Sequence, residues 1–268
     1  MILIGEKLNG SIPSCAAAIA ARDESYIKDM AKRQADAGVD FIDCCASVRE
    51  NELETLSWMV DAIQSSTDCP ISLDSPDVSV IIEAMPLCKK PGMFNSVSGE
   101  GDKIERAFPV LAKPENQKWH VMALLCDDTG IPKTAEKRIE VFEMIMSKAS
   151  MYGIDDKRIH IDPAVEMLCT TDDGEGALML FDVMKHVKKA RPDVHISGAI
   201  SNISYNLPVR RLVNQAFAVL AVGAGMDSTV LDPLNKDLRG VLLAAEAMLG
   251  FDDYCAEYVS AFREGIFE

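Results

Sequence analysis

Asp74, Asn95, Asp162 and Asn202 each close an apolar run: Ile71-Ser72-Leu73-Asp74, Met93-Phe94-Asn95, Ile159-His160-Ile161-Asp162 and Ile196 to Asn202. Two further runs, Ile2-Leu3-Ile4-Gly5-Glu6 and Val121 to Asp127, end in the same way. Strands of a parallel sheet are buried on both faces and therefore read as near-continuous apolar runs. A polar side chain at the carboxyl end of such a strand points into the mouth of a barrel, where active sites are built. Asp and Asn are costly to desolvate there unless something hydrogen-bonds them. Two carboxylates and two amides can together accept from and donate to a flat, nitrogen-rich heterocycle. An ionised carboxylate accepts two parallel N–H bonds, as an amino-pyrimidinone ring offers from its ring N–H and exocyclic amine. Any one of the four residues alone reads as well as a strand-end cap; all four together point to one pocket.

Other spacings carry less. Asp193-Val194-His195-Ile196-Ser197-Gly198 matches Asp-x-His-x-x-Gly, the signature in which a corrinoid-binding domain places His under cobalt. That motif opens a loop after a strand, whereas here it lies at the start of the seventh predicted strand. By period-2 alternation His195 is expected to face the helices, opposite to Asn202. His160-x-Asp162 is a possible metal pair, but one His and one Asp are too few ligands, so no metal is expected. Cys44 and Cys45 must point to opposite faces, so at most one lines the mouth. Gly198, inside an apolar run, fits close backbone approach by a ligand or tight barrel packing equally well.

The elements that would position these residues follow from hydrophobic period and breakers. Strands are expected at about 2–5, 41–45, 70–74, 92–95, 119–126, 158–162, 194–201 and 226–231. Helices are expected at about 25–37, 52–66, 77–87, 102–112, 134–151, 175–190, 208–222 and 237–249. Ser75-Pro76-Asp77 is a good helix start, and Gly38 and Gly153 are stops. Eight strand–helix units predict an α/β fold, a closed (β/α)8 TIM barrel. The competing open, doubly wound sheet lacks a Gly-x-Gly-x-x-Gly after its first strand.

The 268 residues fit one such barrel, and with no linker or composition shift they are expected to form a single domain, residues 1–268. Acidic residues number 42 against 27 basic, a net charge of −15, which argues against a nucleic-acid or anionic-membrane partner. Met1 to Glu6 are too short and too soon acidic for a signal peptide. No apolar stretch approaches the ~18 residues of a membrane span. The eight cysteines contain no Cys-x-x-Cys and fit a reducing cytoplasm.

Leu3 to Gly10, Leu73-Asp74-Ser75, Phe94-Asn95-Ser96, Thr129-Gly130-Ile131-Pro132, Ile161-Asp162-Pro163 and Ser201-Asn202-Ile203-Ser204 resemble methyltetrahydrofolate:corrinoid-protein methyltransferases. These belong to the pterin-binding barrels, and the resemblance runs in order from residue 3 to about 232. It implies a homodimer that moves a methyl group between N5 of tetrahydrofolate and a corrinoid (cobalamin). It also implies that Asp74, Asn95 and Asp162 anchor the pterin and that Asn202 hydrogen-bonds N5; Gly198, from its place in the seventh run, is expected to be a substrate-binding position beside them. The cobalamin is expected on a separate corrinoid-binding protein, because the resemblance fills the chain. Similar sequences pass the methyl group to tetrahydrofolate in demethylation of glycine betaine and methylated amines. The chain departs from the family at Asp43-Cys44-Cys45, where relatives carry an Asp-x-Asn type ending, and at Asp127, where the usual residue is Asn. Dihydropteroate synthase is a weaker match, since a strand 7 Lys and an Arg-containing segment after strand 8 are missing. A non-catalytic pterin-binding scaffold for a corrinoid protein is the other alternative.

Overall fold

The computed structural model describes residues 1–48, 50–170 and 176–267. Eight strands form its centre: β1 (Ile2–Asn9), β2 (Phe41–Cys45), β3 (Ile71–Asp74), β4 (Met93–Gly99), β5 (His120–Asp127), β6 (Ile159–Asp162), β7 (His195–Ile196) and β8 (Ser228–Leu231). Their order is β7-β6-β5-β4-β3-β2-β1-β8, every pair parallel. The ends meet through a parallel bridge between Ala199 and Val230. The eight-stranded barrel expected from the repeats is therefore the architecture.

Helices α2 (Glu24–Asp36), α3 (Glu52–Ser66), α4 (Val78–Ala84), α5 (Lys103–Leu111) and α6 (Ala135–Met151) lie where the hydrophobic period puts them. The same holds for α7 (Gly176–Ala190), α8 (Arg210–Gly223) and α9 (Lys236–Met248). The helix start read at residues 75–77 is real: the Asp77 side chain accepts from the Ser79 N–H at 2.8 Å. Two helices were not anticipated: α1 (Pro13–Ala20), and α10 (Ala256–Arg263) beyond the last strand–helix unit.

Two apolar layers hold the barrel. The outer one joins the helices to the outward faces of the strands, with Ile42, Leu73, Phe94, Val121 and Ile161 fully or nearly fully buried. The inner one is a small cluster of Ile4, Phe41, Met93 and Met122 inside the barrel. Alternation then dictates what lies above it. Two residues on from Ile4, Phe41 and Met93 stand Glu6, Asp43 and Asn95, on the same strand faces but nearer the mouth.

The floor also contains three histidines, and here an expectation fails. His195 does not face the helices. Its ring stacks on His160 inside the barrel, centroids 4.7 Å apart. His160, fully buried, places Nε2 2.9 Å from His120 Nδ1 and Nδ1 2.9 Å from the Ser228 hydroxyl. The alternation argument assumed an uninterrupted strand from 194 to 201, but β7 ends at Ile196. Both ring nitrogens of His160 thus serve the floor, and among the described residues no group of three or more His, Cys, Asp or Glu could hold a metal ion.

Asp227 compensates for the short strand at the seam. Its carboxylate accepts from the Ile196 N–H at 2.8 Å and from Lys188 at 2.7 Å, and lies 3.1 Å from His195 Nδ1. Although burial opposes it, these partners hold the Asp227 carboxyl down at about 2. A depressed carboxylate stabilises the fold above its unfolded value and loses that contribution as pH falls through the folded one. Asp227→Asn is therefore expected to cost roughly 1–2 kcal/mol at pH 7, after allowance for screening at a side chain 38% exposed. Urea melts at pH 7 and pH 2.5 check this: the deficit should shrink at the lower pH, and an equal deficit at both would rule out the ionic clasp.

Candidate functional site

Glu6, Asp43, Asp74, Asn95 and Asp162 form a polar layer directly above the apolar floor. Asp74 ends β3 and is the register partner of Cys45 on one side and Asn95 on the other. Asp162 ends β6, paired with Leu124 of β5. Gly198 follows β7 and turns toward Asp162: a Cβ built on it would stand 3.7 Å from Asp162 Oδ1 and 3.0 Å from Val165. A side chain there would press on Val165, with the Asp162 carboxylate at ordinary contact distance.

Asn202 is placed differently from the expectation. It is not the end of a strand but belongs to a 3₁₀ turn, Ile200–Ser204, that follows the truncated β7. The turn stands at the barrel mouth, and Asn202 is exposed. Arg210 brackets it, donating to the Ser201 carbonyl at 2.7 Å and to the Ser204 hydroxyl at 3.0 Å, with its guanidinium over the Tyr205 ring.

Asp43 is the residue the sequence reading did not single out as a site. It is 2% exposed and accepts at Oδ1 from the Ser72 hydroxyl at 2.9 Å and the Asn95 amide at 3.2 Å. Asn95 thus has one amide hydrogen committed, and among the described residues its carbonyl oxygen is free to accept. The signal was available: Phe41-x-Asp43-x-Cys45 has the same alternation as the other runs, but a wholly apolar-looking Phe-Ile-Asp-Cys-Cys hides it. Of the two cysteines, Cys44 is fully buried among the helices, while Cys45 lies beside Asp74 and 3.1 Å from the Ser47 hydroxyl. The opposite-face expectation holds. Asp127, also at the mouth, spends Oδ1 on the Thr129 N–H at 2.8 Å and the Thr129 hydroxyl at 2.6 Å. It closes its own turn.

Electrostatics in this layer run against ionisation. Burial raises the Asp162 carboxyl to about 6, opposed by the Ala164 N–H and the Arg138 guanidinium. Burial also raises Asp74 to about 6, and Glu52 adds to the rise. Asp43 is pushed well up by burial and by the Asp74 charge. Glu6 is raised by burial and by Asp232. Such groups are poised to become ionised when a ligand brings N–H donors to them.

Arg138 supports one side of the layer. Fully buried on α6, it donates to the carbonyls of Pro132, Pro163 and Ala164 and pairs with Glu166 at 2.7 Å. It therefore fixes the chain just after Asp162.

The comparisons with known proteins bear on this layer. The pterin binding enzyme family matches residues 8–232. The chain is 44% identical to a methylcorrinoid:tetrahydrofolate methyltransferase of Eubacterium limosum over 266 residues, covering 99% of this chain and 97% of that one. The chain belongs to the pterin-binding enzymes. Within them it belongs with the methyltetrahydrofolate:corrinoid-protein methyltransferases. It is also 27% identical over 250 residues to methionine synthase of Mycobacterium tuberculosis, of which it spans 21%. Among solved structures, dihydropteroate synthase of Yersinia pestis superposes with a TM-score of 0.64 at 17% identity, covering 93% of each chain. The Xanthomonas albilineans enzyme in complex with 7,8-dihydropteroate gives 0.62 at 18% identity, covering 94% of this chain and 92% of that one. At these identities the two structures establish a shared fold.

Two outcomes follow for the carboxylate layer. Asp162 holds a proton in the folded state that the unfolded chain has released between about 4 and 6. Its stabilising contribution is complete below the unfolded value and lost as pH rises through about 6. Asp162→Asn keeps an acceptor for Ala164 and is expected to stabilise the ligand-free protein by roughly 1–3 kcal/mol at pH 7.5, with little change at pH 4. Thermal melts at the two pH values decide it; no gain at pH 7.5 would show an already solvated carboxylate. Arg138→Met should cost roughly 3–5 kcal/mol, because it strands buried carbonyls and Glu166. A loss below 1 kcal/mol in urea melts would remove Arg138 from that role.

Proposed function

We propose that the protein transfers a methyl group from a methylated corrinoid to N5 of tetrahydrofolate, as a step in removing methyl groups from a methylated donor. The observation that carries this reading is the layer of desolvated carboxylates closing the barrel, in a chain so similar over its full length to a methylcorrinoid:tetrahydrofolate methyltransferase. Asp74 and Asp162 accept the ring N–H and exocyclic amine of the pterin, and Asn95 adds its carbonyl oxygen. Each carboxylate that ionises against paired N–H donors gains a charge-assisted, geometrically specific bond.

Asn202 hydrogen-bonds N5 from the mouth. As N5 attacks the methyl carbon, the carbon–cobalt bond breaks with its electron pair on cobalt, positive charge develops at N5, and its proton must leave. A neutral amide turns its carbonyl to a growing N–H dipole without the desolvation cost of a charge, so it stabilises the transition state more than the ground state. Asn202 stands exposed at the mouth, so the departing proton can pass to solvent there. The corrinoid supplies the organometallic chemistry, and the barrel holds and orients the folate.

The reading includes a separate corrinoid-binding protein as methyl donor, a cytoplasmic location and a homodimer. All eight cysteines are free, which fits a reducing compartment. Among the described residues no helix is long and apolar enough to cross a membrane. The outer face of α8 supports the dimer, with Leu212, Val219 and Leu220 57%, 43% and 57% exposed. Dihydropteroate synthase chemistry is disfavoured by the turn after β7, which reads Gly198-Ala199-Ile200-Ser201-Asn202 and offers no Lys.

Rapid mixing of methylated corrinoid protein and tetrahydrofolate with the enzyme tests the reading. The cobalt spectrum should change from the methylated to the Co(I) form; folate binding without it would make the protein a scaffold. Asn202→Ala should lower the rate by two or more orders of magnitude with tetrahydrofolate affinity nearly unchanged. Collapse of affinity with a surviving bound-state rate would overturn the N5 assignment. Asp162→Ala should weaken tetrahydrofolate binding by roughly 1.5–3 kcal/mol, read by calorimetry, since a charge-assisted bond is lost; unchanged affinity would take it out of the pterin site.

A further inference from the structure

The backbone of Asn95 is pinned on every side. On β4 it pairs with Asp74 of β3 and Met122 of β5, and its carbonyl accepts the Ser75 N–H at 2.9 Å. That leaves the side-chain amide, whose two ends are nearly equal in shape and opposite in hydrogen-bonding character. Asp43 decides between them. Its Oδ1, buried on β2, accepts an N–H of the Asn95 amide at 3.2 Å and the Ser72 hydroxyl at 2.9 Å. We propose that Asp43 is a positioning residue that makes the site select a reduced pterin ring over an oxidised one, by holding the Asn95 amide with its carbonyl oxygen toward the ring. The proposal rests on the functional reading above and deepens it.

A carboxyl oxygen that receives a hydroxyl hydrogen is an acceptor whether or not the second oxygen holds a proton. The amide therefore meets Oδ1 through nitrogen. Turned about, it would set its own oxygen against another acceptor beside a buried carboxyl, and an unmade bond there is costly. The anchor is itself fixed: Asp43 is the register partner of Ser72, which is fully buried. The amide is thus left with a carbonyl that demands a donor. Reduction of a pterin alters its polar atoms only at N5 and N8. Both carry hydrogens in the tetrahydro ring, and both are bare acceptors in the oxidised one. The pyrimidine edge, N3–H and the 2-amino group, is the same in either form, and in the proposed complex Asp74 and Asp162 accept from it. Asn202 is assigned to N5, which leaves the N8–H for Asn95. An oxidised ring would turn the N8 lone pair against the Asn95 oxygen. Asp43 sets this preference without touching the ligand.

Anaerobic calorimetry with 6-methyltetrahydropterin and its oxidised counterpart, 6-methylpterin, tests this through the ratio of the two Kd values. The wild-type protein should prefer the reduced ring by about 10-fold or more. Asp43→Val suits a strand and removes the acceptor, so the Asn95 amide turns freely. The preference should then fall roughly 5- to 20-fold, the reduced ring binding more weakly and the oxidised ring as well as before or better. Asp43→Asn keeps Oδ1 as an acceptor and can place its amide nitrogen beside the Asp74 carboxyl. It should restore the preference to within about 3-fold of wild type. A role in packing alone would weaken both rings together and leave the ratio unmoved, and that result in a folded variant overturns the proposal. So does a fall in Asp43→Asn equal to that in Asp43→Val, which would make the charge the cause and not the orientation of the amide. Melting temperatures establish folding, and Asp43→Ala takes the place of Asp43→Val if the latter does not fold. Equal binding of the two rings by the wild-type protein also overturns the proposal, whereas binding of neither rejects the functional reading itself.

Discussion

The structure depends on carboxyl groups placed out of water immediately above an apolar floor. Ile4, Phe41 and Met93 close the barrel from below, and two residues later on each strand stand Glu6, Asp43 and Asn95. The two-residue period of a strand ties the two layers together, so the floor cannot be packed without also fixing where the polar groups point. Burial of Asp43, Asp74 and Asp162 opposes ionisation, and each is held short of full satisfaction by only one or a few protein donors. That unfinished state is the functional resource. A ring that brings its own N–H groups completes what the fold leaves incomplete, and the desolvation has already been met in folding.

The weakest part of the sheet lies beside the same layer. β7 contributes only His195 and Ile196 to the ladder, and beyond a single bridge the seam with β8 is held by Asp227, by the Thr229 hydroxyl on the Gly198 carbonyl at 3.0 Å, and by the histidine stack below. Ending the strand early releases residues 197–204 from strand geometry. The chain can then pass Asp162 closely at Gly198 and fold back as the turn that carries Asn202. A longer β7 would alternate its side chains rigidly between floor and helices; the short one lets Arg210 and the turn's own hydrogen bonds set the orientation. Stability at the seam therefore comes from side chains, and freedom at the mouth comes from the same truncation.

How much of this was legible in the sequence depended on the physical origin of each feature. The barrel was, because eight buried strands and their helices each repeat a local hydrophobic period. The strand-end positions of Asp74 and Asp162 were legible for the same reason, whereas Asn95 stands within β4, which runs on to Gly99. Asp43 was obscured, because a carboxylate flanked by Phe41, Ile42, Cys44 and Cys45 reads as part of an apolar strand, and its partners Ser72 and Asn95 come from other repeats. The face of His195 was misread because alternation fails where the strand stops, and what stops it is a tertiary arrangement around Gly198 and Asp227. The helix α1 after β1 and α10 near the end were missed because they are short and lie outside the strand–helix rhythm. Asp127 illustrates the converse: its position at the mouth was correct, but Thr129 two residues on takes its oxygen for a turn.

The three histidines of the floor have a consequence for how the two ends of the barrel meet acid. His120 is held down at about 4 by burial and by His195, and burial beside His195 and His120 also holds His160 well below the usual imidazole range, so both resist the protons an unfolded chain would take up. Acidification from about 6.5 to 4 therefore penalises the floor, while over nearly the same interval it relieves Asp74 and Asp162 above. The opposed titrations offset one another in the ligand-free barrel and flatten its response to pH. A bound pterin that keeps the upper carboxylates ionised cancels only one side of this compensation. In the complex proposed above, the loaded barrel thereby becomes the more acid-sensitive form.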